Sequence, residues 1–220
     1  MREAEFLAIV SHELKTPVAA ITGLAATLSA SRHNLTEEQI DDCLNRISRQ
    51  GERLARLVAD LLDLSQAESG TFRISLEPVE LAGSAERALE GAPSPPGKSV
   101  ELAIPGSLWA LADPSRLEQI LVNLLTNAYR YGGSTIILEA RGTSEGVVVT
   151  VADDGDGVPD ELVPKLFEGF ARGANTDGVQ GSGLGLAIVQ ALLEGLGGRI
   201  WYEPGQPAGA RFRFLLRAAD

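Results

Sequence analysis

The chain is expected to be α+β, a helical hairpin over residues 1–68 followed by an α/β sandwich over residues 69–220. Three observations predict this. Through the first segment apolar residues recur at alternating steps of three and four, the period of a helix buried along one seam. After Ser69 and Gly70 the period drops to two, in short runs separated by glycine and proline turns. A few helical stretches with strong start signals stand among those runs, a mixture that packs as one sheet covered on one side by helices.

In the first helix the seam is Leu7, Val10, Leu14, Pro17, Ile21, Leu24 and Leu28. His12 falls midway between Val10 and Leu14, so at about 100° per residue it faces away from that seam. Thr16 lies one turn further along the same exposed face, and Glu13 is adjacent. Pro17 cannot donate to the carbonyl of Glu13, which predicts a bend just after the histidine. Residues 29–34 break the helix, and Thr36 with Gln39 opens the next one as a capping box, with Leu35 and Ile40 placed as a hydrophobic staple. The second seam runs Ile40, Leu44, Ile47, Gly51, Leu54, Val58 and Leu61, and Leu57, Leu62 and Leu64 widen it. Leaving so broad a stripe in water costs roughly 25 cal/mol per Å². A homodimer is therefore expected, two hairpins forming a four-helix bundle in which Gly51 lets facing helices approach.

In the second segment Phe72, Ile74 and Leu76 alternate as a strand, residues 81–89 read as a helix, and residues 92–98, with three prolines, as a loop. Val100, Leu102 and Ile104 suggest a half-buried strand and residues 108–112 another. Asp113 caps a helix whose first position is Pro114. Central strands are expected at 134–140 and 147–152 around a turn at 142–146. A glycine-rich stretch at 173–185 leads into a helix over 184–196, and strands at 199–203 and 211–216 close the sheet.

Composition narrows the function. With 220 residues, 44% hydrophobic and 5% aromatic, the chain suits one or two globular domains. A formal net charge of -11, with no basic run set against it, argues against a nucleic-acid partner. The single cysteine, Cys43, excludes an internal disulfide and a cysteine-rich metal site. No apolar stretch approaches the roughly 18 residues needed to cross a bilayer, so no membrane contact is expected from this segment. No signal-peptide pattern opens the chain, which reads as cytoplasmic or as the cytoplasmic part of a larger protein.

Four separated signals in the second segment converge on a nucleotide. Asn123 and Asn127 sit one turn apart on the Asp113 helix, off its apolar face, and neutral amide oxygens suit Mg²⁺ when phosphates and water complete its shell. Arg130 and Tyr131 continue that face toward phosphates. The run DDGDG at 153–157 puts carboxylates at a strand end in a turn whose glycines permit close backbone approach. LFEGFAR at 166–172 supplies Phe167 and Phe170 as anchors and Arg172 for a phosphate. GSGLGLAIV at 181–189 is a glycine loop opening into a helix whose first N–H groups suit an anion. It is neither a Walker A sequence nor a Rossmann fingerprint.

Taken in order, SHELKTP at 11–17, NLLTNAYRY, DDGDG, LFEGFAR and GSGLGLAIV closely resemble the H, N, G1, F and G2 boxes of the sensor histidine kinases of two-component signalling. The stretch LSQAESGTFRISLEPVEL at 64–81 also resembles that family's passage from its hairpin into its ATP-binding domain. The resemblance implies a dimerisation and histidine phosphotransfer hairpin, then a sandwich of the gyrase, chaperone, histidine kinase and mismatch-repair type. It makes His12 the phosphorylated residue, Glu13 its general base and Thr16 part of a phosphatase motif. Asn127 becomes the principal Mg²⁺ ligand with Asn123 beside it, and Asp153 the acceptor for the exocyclic amine of adenine. Gly155 and Gly157 admit the base; Arg130, Tyr131, Arg172, Gly181, Gly183, Leu184 and Gly185 surround the phosphates of ATP. Asp154 departs from the family's usual asparagine and adds charge near the base. A response-regulator aspartate is the implied acceptor, and the joint at 69–70 and lid at 174–180 are expected to move. A chaperone-like or repair ATPase shares the sandwich but leaves His12 unexplained; a non-catalytic dimeric scaffold keeps the heptads.

Overall fold

The computed structural model describes residues 3–68, 74–171 and 183–219, in two compact units, Met1–Asp63 and Leu64–Asp220. Phe72, Arg172, Gly181, the 69–70 joint and the 174–180 lid lie outside the described residues.

The first unit is the hairpin. Helix α1 spans Glu3–Ser31 and continues through Pro17; a 3-10 turn at Arg32–Asn34 leads to α2, Glu37–Glu68. The first helix thus runs three residues into the expected break, and the turn is tighter. The capping box forms in both directions, Thr36 N donating to Gln39 Oε1 at 2.9 Å and Gln39 N to Thr36 Oγ1 at 3.2 Å. Val10, Leu14, Ile21, Leu24 and Leu28 of α1 are half-buried and Pro17 is buried, as the seam predicts.

The α2 seam divides differently. Cys43 and Leu57 occupy inward positions, with Leu57 buried, while Leu44, Val58 and Leu62 remain outside at 51%, 44% and 58% exposure. The apolar stripe is wide enough for two neighbours, and a single heptad drawn through it mixes residues from both faces. Gly51 stands seven residues from both Leu44 and Val58, on the outward stripe, and a Cβ there meets nothing within 4 Å. Its smallness does not serve packing inside one hairpin.

The second unit holds a five-stranded sheet in the order β2-β4-β5-β7-β6 and a separate two-stranded one, β1-β3. The strands are β1 Glu77–Glu80, β2 Ser99–Ala103, β3 Trp109–Ala112, β4 Thr135–Thr143, β5 Gly146–Asp153, β6 Arg199–Pro204 and β7 Ala210–Leu216. Neighbours are antiparallel except β2 and β4, which run parallel. The small antiparallel sheet was not expected, because pairing between short strands is non-local. Ile74 and Leu76 precede β1 rather than forming a strand, and Ile74 Cδ1 packs against Gly195 of α5, Gly185–Gly195. The alternation there marks an anchor, not a ladder.

Helix α4, Pro114–Tyr131, joins α5 in packing on the large sheet, and α3, Leu81–Gly91, packs against α4. Leu117, Ile120, Leu121, Leu124 and Leu125 of α4 are buried, as are the sheet residues Ile136, Leu138, Val149, Val151, Phe212 and Phe214, and α4 packs on β4 and β5. The side-chain period of two puts Asp153 in phase with Val147, Val149 and Val151. Asp153 therefore ends β5 on the helix-covered side, which is what brings a carboxylate to the edge of the core.

Candidate functional site

The site is built in two places, one in each unit. On α1 the His12 side chain is 80% exposed while Glu13 beside it keeps only 14%. Helix phase separates them: Glu13 turns toward α2, where its Oε2 meets Arg53 Nη2 at 3.2 Å, and its Oε1 stands 3.9 Å from His12 Nδ1. One carboxylate oxygen is thus fixed by a guanidinium while the other faces the imidazole. Thr16 Oγ1 donates to the His12 carbonyl at 3.1 Å, as Thr22 does to Val18 and Thr27 to Gly23. This is how threonine commonly bonds in a helix interior.

In the second unit α4 forms the floor. Asp113 caps it through both N–H groups of Ser115 and Arg116 and also receives Ser75 N at 3.0 Å, so the start of the domain and the start of α4 share one carboxylate. Burial acts to raise that carboxyl's pKa, but the hydrogen bonds from Ser75, Ser115 and Arg116 outweigh it and leave it below its ordinary value. Asn123 and Asn127 are half-buried one turn apart, and a Cβ at Gly185 would lie 3.7 Å from Asn123 Oδ1 and 4.0 Å from Asn127 Nδ2. The α5 N-terminus therefore opens onto the two amides, leaving a recess that any side chain at Gly185 would fill. Its N–H groups suit phosphate and Asn123 Oδ1 a hard cation, while Asn127 turns its amide nitrogen to this recess, so its oxygen reaches a cation there once the amide turns over.

Gly183, at φ +71°, accepts Phe170 N at 2.9 Å on its carbonyl, and a Cβ there would come within 2.9 Å of Phe170 Cα. Glycine is required by both the dihedral and the contact. Leu184 is buried as the anchor of this turn, while Arg130 and Tyr131 lie on the exposed end of α4.

At the other end of α4, about 13 Å from Asn123 at 1.5 Å per residue, the chain meets the Asp153 turn. A Cβ at Gly132 would lie 2.6 Å from Asp153 Cβ, and one at Gly155 would lie 2.8 Å from Gly133 N. Asp153 Oδ1 accepts Gly155 N at 2.9 Å. Burial pushes the Asp153 carboxyl up, and the charge of Asp154 adds to that; N–H groups of Gly155 and Ala210 and the Lys98 ammonium oppose it. A desolvated acceptor of this kind suits a ligand amine. At Gly157, with φ +80°, a Cβ would come within 2.9 Å of Gly209 O, so the turn closes on the loop before β7. Asp154 points elsewhere: its carboxylate accepts Thr135 N at 2.8 Å and Ser134 Oγ at 3.3 Å at the start of β4. Its effect on Asp153 is through charge.

Arg53, Lys98, Gly132, Gly133 and Gly209 were not among the sequence candidates. The Gly-Gly pair directly after NLLTNAYRY was the available signal; the others depend on contacts between distant segments.

Two family profiles cover most of the chain: the His Kinase A (phospho-acceptor) domain matches residues 2–70, and the histidine kinase-, DNA gyrase B- and HSP90-like ATPase matches residues 112–220. The chain is 33% identical to the sensory/regulatory protein RpfC of Xanthomonas campestris over 99% of its own length and 31% of that protein's. It is 34% identical to the sensor protein KdpD of Escherichia coli over 96% of its length and 24% of KdpD. It spans less than a third of either relative. Among solved structures it is similar to the Acinetobacter baumannii histidine kinase AdeS, with TM-score 0.75, 26% identity and coverage of 95% of this chain and 98% of that one. Full-length ShkA in complex with AMPPNP gives TM-score 0.70 and 32% identity, over 98% of this chain and 46% of that one.

Proposed function

We infer that this chain, which belongs to the sensor histidine kinases of two-component systems, phosphorylates itself on His12 with the γ-phosphoryl group of ATP and passes that group to an aspartate of a response regulator. The observation that carries this reading is the exposed His12 ring beside a half-buried, Arg53-held Glu13, on a chain whose second unit presents the paired amides and the Asp153 turn.

Phosphoryl transfer asks the protein for alignment and charge neutralisation rather than covalent help. Neutral His12 attacks through Nε2; the new N–P bond forms as the bond from the γ-phosphorus to the β,γ-bridging oxygen breaks, and ADP leaves. The Nδ1 proton passes to Glu13 Oε1, a small rotation away at 3.9 Å, a contribution typically of about 10² to 10⁴ in rate. Arg53 holds the carboxylate in that orientation. Asp153 accepts from the exocyclic amine of adenine, while Gly155 and Gly157 leave room for the ring. Gly183, Leu184 and Gly185 present the α5 N-terminus to the phosphates, with Arg130, Tyr131, Arg172 and Gly181 assigned to the same anionic group.

Asn127, with Asn123 beside it, fits Mg²⁺ because Asn123 Oδ1 lies at the recess by Gly185 and turning over the Asn127 amide brings its oxygen there too. The ion supplies neutralisation of phosphate charge when bound with the nucleotide. The partners follow from the same reading: a second copy of this chain, a regulator receiver domain, and no nucleic acid. Among the described residues no helix is long and apolar enough to cross a membrane. A cytoplasmic setting is part of the proposal.

A plain ATPase of the same fold needs neither His12 nor the Glu13–Arg53 pair, and a scaffold needs no base beside the ring. Incubation with γ-labelled ATP separates the three readings. An acid-labile, alkali-stable label is expected on His12, and His12→Gln is expected to lose it while binding ATP normally. Labelling of that variant at the wild-type rate would sink the acceptor assignment.

A further inference from the structure

The loop between α3 and β2 does more than connect them. Ser94 Oγ donates to the Lys98 carbonyl at 2.8 Å, Lys98 N donates to Pro95 O at 3.2 Å, and Gly97 takes φ +84°. These bonds fold the loop into a turn that presents Lys98 to the C-terminal end of α4. There the ammonium donates to Gly132 O at 2.7 Å and Ala128 O at 3.3 Å, while Tyr129 Oη reaches back to Ala92 O at 3.1 Å. The loop is strapped to the helix end at two points.

The end it straps is the one packed on Asp153. With no Cβ at Gly132, Gly133 or Gly155, the α4 terminus lies in contact with the Asp153 turn, and the carbonyls of a helix C-terminus carry partial negative charge. Asp154 adds negative charge beside the Asp153 carboxylate, which is itself half-buried. Lys98 answers both, as a donor to the carbonyls and as a nearby cation.

We propose that Lys98 is a positioning residue of the adenine subsite: by tying down the last carbonyls of α4 it holds Gly132–Gly133 against the Asp153–Gly155 turn and keeps the Asp153 carboxylate available to the base amine. The proposal rests on the assignment of Asp153 to adenine. Lys98 does not touch the nucleotide. Its effect is confined to the base end of the site, because the α5 phosphate end is built from other residues.

The test compares ATP with inosine triphosphate, which carries a carbonyl where ATP carries the exocyclic amine, by calorimetry with Mg²⁺ on the whole chain. Lys98→Met is expected to weaken ATP binding about tenfold, the scale of one lost charge-assisted hydrogen bond. Inosine triphosphate should bind the variant as it binds wild type, and Lys98→Arg should restore ATP affinity. In the nucleotide-free chain, carboxyl ¹³C titration should find Asp153 protonating at higher pH in Lys98→Met than in wild type; the groups acting on it are Gly155 N, Ala210 N, Asp154 and Lys98. Unchanged ATP affinity in Lys98→Met, or equal losses for both nucleotides, overturns the proposal. Asp153→Asn distinguishes the two levels: if it too leaves ATP binding unchanged, the adenine assignment fails, whereas a loss there with none in Lys98→Met removes Lys98 alone. Should Lys98→Met fail to fold, Lys98→Gln, which keeps a donor without the charge, carries the same comparison.

Discussion

Thr16 already spends its hydroxyl proton on the His12 carbonyl, so its oxygen faces solvent with acceptor capacity left over. That suits a water held against the phosphoaspartate of a docked regulator, since the water can donate one hydrogen to Thr16. Autophosphorylation has no such need. Thr16→Ala is therefore expected to keep most kinase activity and to lose phosphatase activity by about 10²-fold, the scale of a misplaced nucleophile. The assay follows decay of purified phosphorylated regulator with ADP and Mg²⁺ present, and equal decay with variant and wild type removes Thr16 from the step. At this scale the sequence was informative about His12, because helix phase is local: the flanking apolar residues alone set where the ring points. It was silent about Arg53, which stands forty residues from Glu13 and meets it only through the register of the hairpin. Lys98 was hidden for the same reason.

Single elements were legible where their end signals are covalent neighbours. Asp113 followed by Pro114 started α4 as expected, and the Thr36–Gln39 box started α2. The β1-β3 ladder was not legible, since nothing in either short run names its partner. The shared role of Asp113 gives the α4 cap a pH dependence. Its folded pKa lies below the ordinary value of 3.8, so its stabilisation is fully present above that pH and is lost as pH falls through the folded pKa. Asp113→Ala is expected to cost about 1 to 2 kcal/mol at neutral pH, because the cap is removed and Ser75 N loses its acceptor. The deficit relative to wild type should shrink in acid, where the wild-type carboxylate is itself protonated. Thermal melts of the two proteins across that pH range check this; a pH-independent difference would mean that the carboxylate charge plays no part in the cap.

For the whole molecule, the hairpin leaves Val18, Leu44, Val58 and Leu62 in water, and a folded surface rarely keeps such a stripe uncovered. A second copy is the expected cover, because a two-fold axis lays the same stripe on itself. Gly51 sharpens the argument. It sits between Leu44 and Val58 at heptad spacing, with no atom within 4 Å of where its Cβ would be, so the hairpin alone gives no reason for a glycine in the middle of a long helix. A glycine there costs about 1 kcal/mol against alanine, a penalty that close approach of a facing helix explains. Gly51→Leu is accordingly expected to leave the single hairpin intact and to weaken association by about 1 to 3 kcal/mol per site through overpacking. Gly23, also with open space around it, is the control: Gly23→Ala should gain roughly 0.5 to 1 kcal/mol in helix stability. Sedimentation over a dilution series reads the dimer constant, and melts at the same concentrations read stability, which in a dimer must rise with concentration. If Gly51→Leu dimerises as tightly as wild type, the outward stripe is not the contact, and the four-helix bundle has to be closed by another face.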